Sequence, residues 1–256
     1  MSKGVVTAER VSRDGSDNFV FQRSILAYHF AAERISGKVL EIGTGSGYGV
    51  DVIAPHASKF TTIDKFESAV DLSNHTNVNF IQTNVPPLPF EDESFDCVIS
   101  FQVIEHIVDD AKFVSEVRRV LKRGGIFIVS TPNILMSLTR NPWHVREYTA
   151  SELSNLLADA KFSDIEAFGV VGNKKVMEYY EKNREGVRRF TRFDILDLQH
   201  RLPRWMLQIP YDILNRLNRK RLLSQNNTLT QSITMEDYNV EPVRDDAFDL
   251  LYIAVK

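Results

Sequence analysis

Short apolar runs alternate with amphipathic segments along the first half of this 256-residue chain. Five runs have the length and composition of buried strands: KVLEIG, KFTTID, NVNFIQ, FDCVIS and GIFIVSTPN, between Lys38 and Asn133. Strands that alternate with helical segments are typical of a parallel sheet covered by helices. Two further strands are predicted nearer the C-terminus, in FSDIEAFGVVG and AFDLLYIAVK. The alternation therefore predicts an α/β fold.

Helical spacing and capping signals predict three helices around this sheet. FQRSILAYHFAAERIS has apolar residues near helical spacing and precedes the first strand. DDAKFVSEVRRVLKRGG has a cap residue at Asp109, late basic residues and glycines just beyond. In YTASELSNLLADA, Thr149 and Glu152 have the spacing of a capping box, so a third helix is expected to begin there.

The last two predicted strands are separated by a long helical insertion. It contains Pro203 and Pro210, which we expect to break it into short helices. We predict an N-terminal helical segment over 1–37, a sheet domain over 38–172 and 242–256, and a helical insertion or lid over 173–241.

Composition narrows the class of protein. A hydrophobic fraction of 43% and a charged fraction of 25% are typical of globular proteins, and a net charge of −3 gives no overall attraction to nucleic acid or anionic membranes. A single cysteine, Cys97, forms no internal disulfide, and MSKGVVTAER lacks the apolar core of a signal peptide. No apolar window is long enough to span a membrane. We expect a cytoplasmic protein; peripheral membrane contact and oligomeric state stay open.

A glycine-rich loop, VLEIGTGSGYGV, follows the first strand. Gly43, Gly45, Gly47 and Gly49 would let backbone amides approach a ligand closely. The dinucleotide fingerprint requires a third glycine where Tyr48 stands, so nicotinamide and flavin cofactors are disfavoured.

Two acidic residues flank the loop. Asp64 ends the second strand about twenty positions after Gly43, where a carboxylate can accept hydrogen bonds from both ribose hydroxyls of an adenosine. Glu41 precedes the loop, and the cationic sulfonium of S-adenosylmethionine tolerates this acidic neighbour better than a pyrophosphate would. The pair favours S-adenosylmethionine as the ligand.

Ordered motifs from Lys38 to Ala160 resemble the class I S-adenosylmethionine-dependent methyltransferases, particularly the type 11 branch. The motifs are VLEIGTGSG, TTID, TNVPPLPFEDESFDCVISFQVIEHI and RRVLKRGGIFIVSTPN. The resemblance implies a Rossmann-like, seven-stranded sheet that is mostly parallel with its last strand antiparallel. The sequence is also similar to members with Tyr-Gly after the loop and a later His-Val-Arg-Glu-Tyr, many of them associated with glycan modification.

The resemblance also implies roles for nine donor-binding residues. Glu41, Gly43 and Gly45 would line the methionine end with Gly47 in the same loop, Asp64 would hold the ribose, Lys65, Asn84 and Val85 would contact the adenine, and Phe101 would lie against the donor. Asn84 replaces an aspartate common in the family, but its amide oxygen can still accept a hydrogen bond. FESAVDLSNHTNV is shorter than usual, which predicts a more open adenine pocket.

Candidate catalytic residues lie in two loops after strands four and five. Methyl transfer mainly requires alignment of donor and acceptor, and a hydroxyl acceptor also requires a base. His144 in NPWHVREYT is predicted to be that base or an acceptor contact, or else to order its loop. For Glu105 and His106 in VIEHI, we expect either a part in the chemistry or a role in shaping their loop. Trp143 is expected either in the core or against an acceptor. No metal site is predicted.

In the insertion, basic residues outnumber acidic ones. Many of them lie beside apolar residues in the stretch LPRWMLQIPYDILNRLNRKRLL. One interpretation is an interfacial helix or lid that meets an anionic acceptor, such as a lipid-linked or phosphorylated sugar. The other is an amphipathic helix packed on the core with its basic face solvated.

We therefore predict an S-adenosylmethionine-dependent methyltransferase that transfers its methyl group to a small molecule or glycan, with O-methylation favoured. Two alternatives stay open: methylation of RNA or protein, and a binding domain without catalysis. Nucleic acid is disfavoured as a partner, because the basic residues are not interleaved with aromatic ones as in RNA-binding surfaces.

Overall fold

The computed structural model describes residues 14–67, 70, 72–192 and 198–256. The predictions for MSKGVVTAER, for the first 13 residues of the N-terminal segment and for three positions of FESAVDLSNHTNV (68, 69 and 71) lie outside the described residues.

Eight strands form one mixed sheet. They are β1 (Lys38–Ile42), β2 (Lys59–Asp64), β3 (Val78–Gln82), β4 (Phe95–Phe101), β5 (Leu121–Pro132), β6 (Ser163–Gly172), β7 (Tyr238–Pro242) and β8 (Asp249–Val255). Their order is β3-β2-β1-β4-β5-β8-β6-β7. The first five are parallel, β8 runs antiparallel to β5 and β6, and β7 runs antiparallel to β6.

The predicted mostly parallel sheet with an antiparallel final strand is confirmed. The structure adds an eighth strand, β7, where Val240 pairs with Val170 at the sheet edge. This strand is short, and only its first residue, Tyr238, is buried. It therefore carries almost none of the apolar alternation by which a strand is recognised in a sequence.

Eight helices surround the described part of the sheet. They are α1 (Asn18–Ala32), α2 (Val50–Ile53), α3 (Asp110–Val120), α4 (Ala150–Asp159), α5 (Lys174–Thr191), α6 (Leu198–Arg201), α7 (Arg204–Gln225) and α8 (Asn227–Ser232). Both predicted caps are confirmed: Asp109 accepts a hydrogen bond from the Lys112 amide, and Thr149 and Glu152 form a complete capping box. Among the described residues, no helix is both long and apolar enough to cross a membrane.

The prediction that both insertion prolines break helices is wrong for Pro210. Pro203 is the N-cap of α7, but Pro210 lies within this 22-residue helix. A proline inside a helix removes one backbone hydrogen bond, here the bond to the Met206 carbonyl four residues earlier. Pro210 is on the exposed side of α7, so water can reach that carbonyl.

Two apolar cores cover the two faces of the sheet, and a third joins the insertion to them. Helices α1 and α2 pack on one face and α3 and α4 on the other. The third core brings together Phe19 of α1, Tyr179 of α5, Leu222 of α7 and Phe248 beside β8. The insertion is therefore packed against the N-terminal helix as well as the sheet.

The strand order reverses between β1 and β4. In an open α/β sheet, the crevice at the carboxyl ends of the strands on either side of such a reversal is where ligands bind. The glycine loop follows β1, and Asp64 and Phe101 end β2 and β4. The topology therefore directs these residues to one edge of the sheet.

Candidate active site

A cleft of about 370 Å³ opens at this edge. Its volume is in the range of small-molecule sites. Seven of the nine predicted donor-binding residues line it: Gly43, Gly45, Asp64, Lys65, Asn84, Val85 and Phe101. The other two, Glu41 and Gly47, are not among the residues that line the cleft.

Two of the loop glycines combine a left-handed backbone with a position on the cleft wall. Gly43 has φ +98°, and a Cβ atom there would lie 2.3 Å from Val103 Cγ2. Gly45 has φ +56°, but a Cβ atom there would meet no heavy atom within 4 Å. Gly45 therefore borders open space, which is where a ligand can approach the backbone most closely.

The other two loop glycines are explained by packing within the protein. A Cβ atom at Gly47 would lie 1.9 Å from Val70 Cγ2, and one at Gly49 would lie 1.9 Å from Tyr28 Cε1. Gly49 has an ordinary φ of −81°, so only the tyrosine ring excludes a side chain there. The four glycines thus serve different purposes that their spacing does not distinguish.

Asp64 ties the end of β2 to the glycine loop. Its Oδ2 accepts a hydrogen bond from the Gly45 amide and its Oδ1 from the Phe66 amide, both at 2.9 Å. A carboxylate has about four lone-pair sites, so each oxygen can accept a second hydrogen bond. The position on the cleft wall fits the predicted contact with two ribose hydroxyls.

Glu41 lies beneath the loop with 2% of its surface exposed. The Tyr28 hydroxyl donates to its Oε1 at 2.7 Å, and the Thr62 hydroxyl donates to its Oε2. Tyr28 lines the cleft, although the sequence did not single it out. Glu41 is therefore connected to the cleft through the Tyr28 hydroxyl. Burial raises the pKa of Glu41 to about 7.

The raised pKa predicts a pH-dependent stability that Glu41→Gln should abolish. Between about pH 4.5 and 7 the unfolded chain releases the Glu41 proton while the folded chain keeps it, so stability falls as pH rises. The shift corresponds to about 3 kcal/mol. Urea unfolding across this pH range should show this fall in the free energy of unfolding in the unaltered protein. The control Glu33→Gln should show the same fall, because the Glu33 side chain is 76% exposed. An unchanged pH profile in Glu41→Gln would contradict the assignment.

A second cavity of about 300 Å³ lies between α1, the loop after β5, and helices α5 and α7. Gln102 and His106 line both this cavity and the donor cleft. Gln102 has a left-handed backbone, with φ +57°, and its Nε2 lies 3.3 Å from Asp249 Oδ1. The sequence did not mark Gln102, because nothing in an isolated glutamine indicates that its backbone is unusual.

The three predicted catalytic residues come together at this junction. Glu105, His106 and His144 each place a potential ligand atom within 4.8 Å of the others. The Val145 amide donates to the Glu105 carbonyl at 2.7 Å, which holds the loop after β5 against the loop after β4. His106 and His144 pack edge to face with ring centroids 5.0 Å apart.

Both imidazoles are held by their Nδ1 atoms. His144 Nδ1 lies 2.7 Å from Glu147 Oε1, and His106 Nδ1 lies 3.1 Å from the Trp143 carbonyl oxygen. Since both Nδ1 partners accept hydrogen bonds, Nδ1 carries the proton in each neutral ring and Nε2 carries the lone pair. In His144 this lone pair accepts a hydrogen bond from Asn141 Nδ2 at 2.8 Å. Such rings can accept a proton, and with Glu105 they could also hold a divalent cation, a type of site that the sequence did not predict.

The second cavity combines side-chain amides with aromatic rings. The amides are those of Gln102, Asn133, Asn141, Asn183, Asn215 and Asn218, and the rings include Phe19, Tyr179, Tyr180, Tyr211 and Phe248. Two arginines also line it, and each has an acidic partner: Arg23 is 3.3 Å from Asp249, and Arg219 is 2.6 Å from Asp17. Apart from Glu105, Glu147 and the two histidines, the cavity wall thus consists of neutral hydrogen-bonding groups, paired arginines and apolar surfaces.

Trp143 lines the donor cleft. Its indole Nε1 donates to Asp212 Oδ1 of α7 at 3.0 Å, which connects the loop after β5 to the insertion. The ring is therefore neither a core residue nor part of the second cavity wall.

Comparisons with known proteins agree with this arrangement. A family model described as a methyltransferase domain, of type 11, matches residues 40–129. A probable S-adenosylmethionine-dependent methyltransferase of Mycolicibacterium smegmatis is 34% identical over 252 residues, which cover 94% of this chain and 90% of the relative. A ubiquinone biosynthesis O-methyltransferase of Bartonella tribocorum is 26% identical over 102 residues, covering 38% of this chain and 41% of that protein.

The fold has a counterpart among solved structures. A methyltransferase of Thermotoga maritima, described as a possible histamine N-methyltransferase, superposes with a TM-score of 0.58 at 17% identity over 97% of both chains.

A mixed sheet with its cleft at the strand-order reversal, a glycine loop after β1 and an acidic end to β2 defines a Rossmann-like nucleoside-binding enzyme. The chain belongs to the S-adenosylmethionine-dependent methyltransferases, in the type 11 family. S-adenosylmethionine is its methyl donor.

Proposed function

We propose that this enzyme transfers a methyl group to a hydroxyl of a small, polyhydroxylated acceptor such as a sugar or glycan. The observation that carries the proposal is the amide-lined cavity that joins the donor cleft at Gln102 and His106. Amides offer both donors and acceptors to hydroxyl groups, and aromatic rings offer apolar surfaces to the faces of a sugar. The O-methyltransferase among the relatives supports the same acceptor atom.

The donor would occupy the cleft with its ribose on Asp64 and its adenine along Lys65, Asn84 and Val85. Its methionine end would then lie beside the glycine loop and Tyr28, and its methyl group would face the junction with the second cavity. This orientation rests on the carboxylate of Asp64, which is the acidic group of the cleft wall best suited to two hydroxyls.

The reaction would be an in-line displacement at the methyl carbon. The acceptor oxygen forms a bond to this carbon while the carbon–sulfur bond breaks, and sulfur keeps the electron pair as S-adenosylhomocysteine leaves. The acceptor's proton passes to His106 Nε2, because His106 lines both cavities whereas His144 and Glu105 line only the second. His144, held by Glu147, and Glu105 would orient this group and stabilise its positive charge.

The first experiment identifies the acceptor. Incubation with methyl-labelled S-adenosylmethionine and cell extract should label a small hydroxylated molecule or glycan, with the label on oxygen. Label recovered in RNA or protein, or on nitrogen, would contradict the proposal.

With that acceptor, His106→Gln should lower turnover by roughly 10²-fold or more, as expected for loss of a general base. Donor affinity should be unchanged, because the substitution leaves the ribose and adenine contacts intact. His29→Gln is the control, since His29 is exposed on α1. Full turnover in His106→Gln would remove the proton-acceptor role. Turnover abolished by a chelator would instead assign the cluster to a bound cation.

A further inference from the structure

Helix α7 turns its apolar side toward solvent. Trp205 is 71% exposed, Ile209 72%, Ile213 54% and Leu217 57%. These residues recur every fourth position, so they form one stripe along the helix. Together with their exposed neighbours they make up the α7 apolar face: Trp205, Met206, Ile209, Ile213, Leu214 and Leu217.

The opposite side of α7 faces the protein and is mostly polar, although Leu222 packs in the third core. Asp212 accepts from the Trp143 indole, Asn218 donates to Asn183 Oδ1 at 2.7 Å, and Arg219 pairs with Asp17. Asn215 lines the acceptor cavity beside them. The interpretation of an amphipathic helix packed on the core with its basic face solvated is therefore confirmed only in part. Leu222 is buried in the third core and most of the basic residues are exposed, but most of the large apolar residues of α7 face solvent. Polar residues of α7 build the cavity wall together with Tyr211 and Leu214, which leaves most of the other large apolar residues of the helix outward.

An exposed face of this kind indicates a partner. Single apolar residues are common on protein surfaces, but contiguous patches of large ones mark sites of protein or membrane contact. The charges around the α7 apolar face identify the chemistry of the partner. From 204 to 221 every exposed charged residue of α7 is basic: Arg216, Lys220 and Arg221. Apolar residues beside basic ones on one helix are typical of helices that lie in the interface of an anionic membrane.

We propose that α7 docks on the surface of an anionic lipid membrane through its apolar face and these basic residues. A second copy of the chain fits less well, because its own α7 would bring the same basic residues and no acidic ones to meet them. Since the inner side of α7 forms one wall of the acceptor cavity, docking would hold that cavity at the membrane surface. A lipid-linked acceptor is then favoured, a consequence that rests on the proposed function.

Vesicle sedimentation tests the docking directly. The whole protein is mixed with phosphatidylcholine vesicles, with or without about one third phosphatidylserine, at low and physiological salt. We expect binding to the anionic vesicles that weakens with salt and little binding to neutral ones. Equal binding to both vesicles, or none to either, would overturn the proposal.

Three variants separate the contributions of the α7 apolar face and of its basic residues to vesicle binding. Ile209→Glu and the pair Lys220→Glu with Arg221→Glu should each reduce binding to anionic vesicles roughly tenfold or more. Val108→Glu is the matched control, because Val108 is a 79% exposed apolar residue outside α7. It should bind as the unaltered protein does. Analytical ultracentrifugation without vesicles tests whether the face instead binds a second copy of the chain. A dimer that dissociates in Ile209→Glu would assign the α7 apolar face to a second copy and overturn the proposal.

Activity distinguishes this proposal from the proposed function. Ile209 lines neither cavity, so Ile209→Glu should retain turnover on a water-soluble acceptor while losing vesicle binding. Vesicle binding by the unaltered protein without methylation of any hydroxylated acceptor would leave the docking intact and remove the proposed function.

Discussion

The Asp64→Ala variant is expected to bind S-adenosylmethionine roughly a hundredfold more weakly than the unaltered protein. Removing the carboxylate deletes the proposed acceptor of two ribose hydroxyls, and each hydrogen bond to a charged group contributes about 1.5–3 kcal/mol. It also releases the amides of Gly45 and Phe66, so the loop loses its connection to β2. Titration calorimetry with S-adenosylmethionine and S-adenosylhomocysteine measures the effect.

Two further variants make this result specific to Asp64. Asp51→Ala removes the same charge just beyond the loop from a side chain that is 73% exposed, and it should bind the donor normally. Asp64→Asn keeps one acceptor oxygen, so its donor affinity should lie between those of Asp64→Ala and Asp51→Ala. A donor affinity for Asp64→Ala close to that of Asp51→Ala would exclude the ribose contact.

Gly49→Ala is expected to lower the free energy of unfolding by about 3 kcal/mol, near the upper end of the usual cost of overpacking. The added methyl group would coincide with the Tyr28 ring. That ring is 3% exposed, packs edge to face on Tyr48 and Phe101, and is anchored by its hydroxyl to Glu41. Any shift that accommodates the methyl group therefore breaks other contacts. Urea unfolding measures the loss, and weaker donor binding should accompany it.

Gly124→Ala is the control for Gly49→Ala. Gly124 has φ +74° and open space where a Cβ atom would lie, so alanine there meets backbone strain without a clash. That strain costs about 1–2 kcal/mol. If Gly49→Ala were no more destabilising than Gly124→Ala, the contact with Tyr28 would not be what requires glycine.

Much of the fold was predictable because its signals are local. Strand β2, KFTTID, is a short run of aromatic and β-branched residues between two charged ones, and its predicted and observed bounds, Lys59–Asp64, are the same. The caps at Asp109 and Thr149 are formed by residues within three positions of one another. Failures occurred where local signals were weak or overridden, as in the short edge strand β7 and in Pro210, whose helix is stabilised by tertiary packing.

The donor cleft was predictable in outline only. Consecutive parallel strands bring their carboxyl ends to one edge, so Gly45, Asp64 and Phe101 were expected to meet. The contacts that give each loop glycine its purpose come from residues distant in sequence, such as Tyr28 against Gly49. Glu41 was expected on the cleft wall, but it is buried beneath the loop and held by Tyr28 and Thr62.

The arrangement of residues on the acceptor side of the site could be seen only in the tertiary structure. Glu105 and His106 meet His144 because two loops are joined through backbone hydrogen bonds, and their separate motifs do not predict that contact.

By itself the sequence determined the α/β sheet, the methyl donor and the amphipathic pattern of α7. A pattern of this kind shows that a helix has two different faces, but it does not show which face is turned inward. Only the tertiary structure decided that, because the polar side of α7 finds hydrogen-bonding partners in Trp143, Asn183 and Asp17, and its apolar side is left facing solvent.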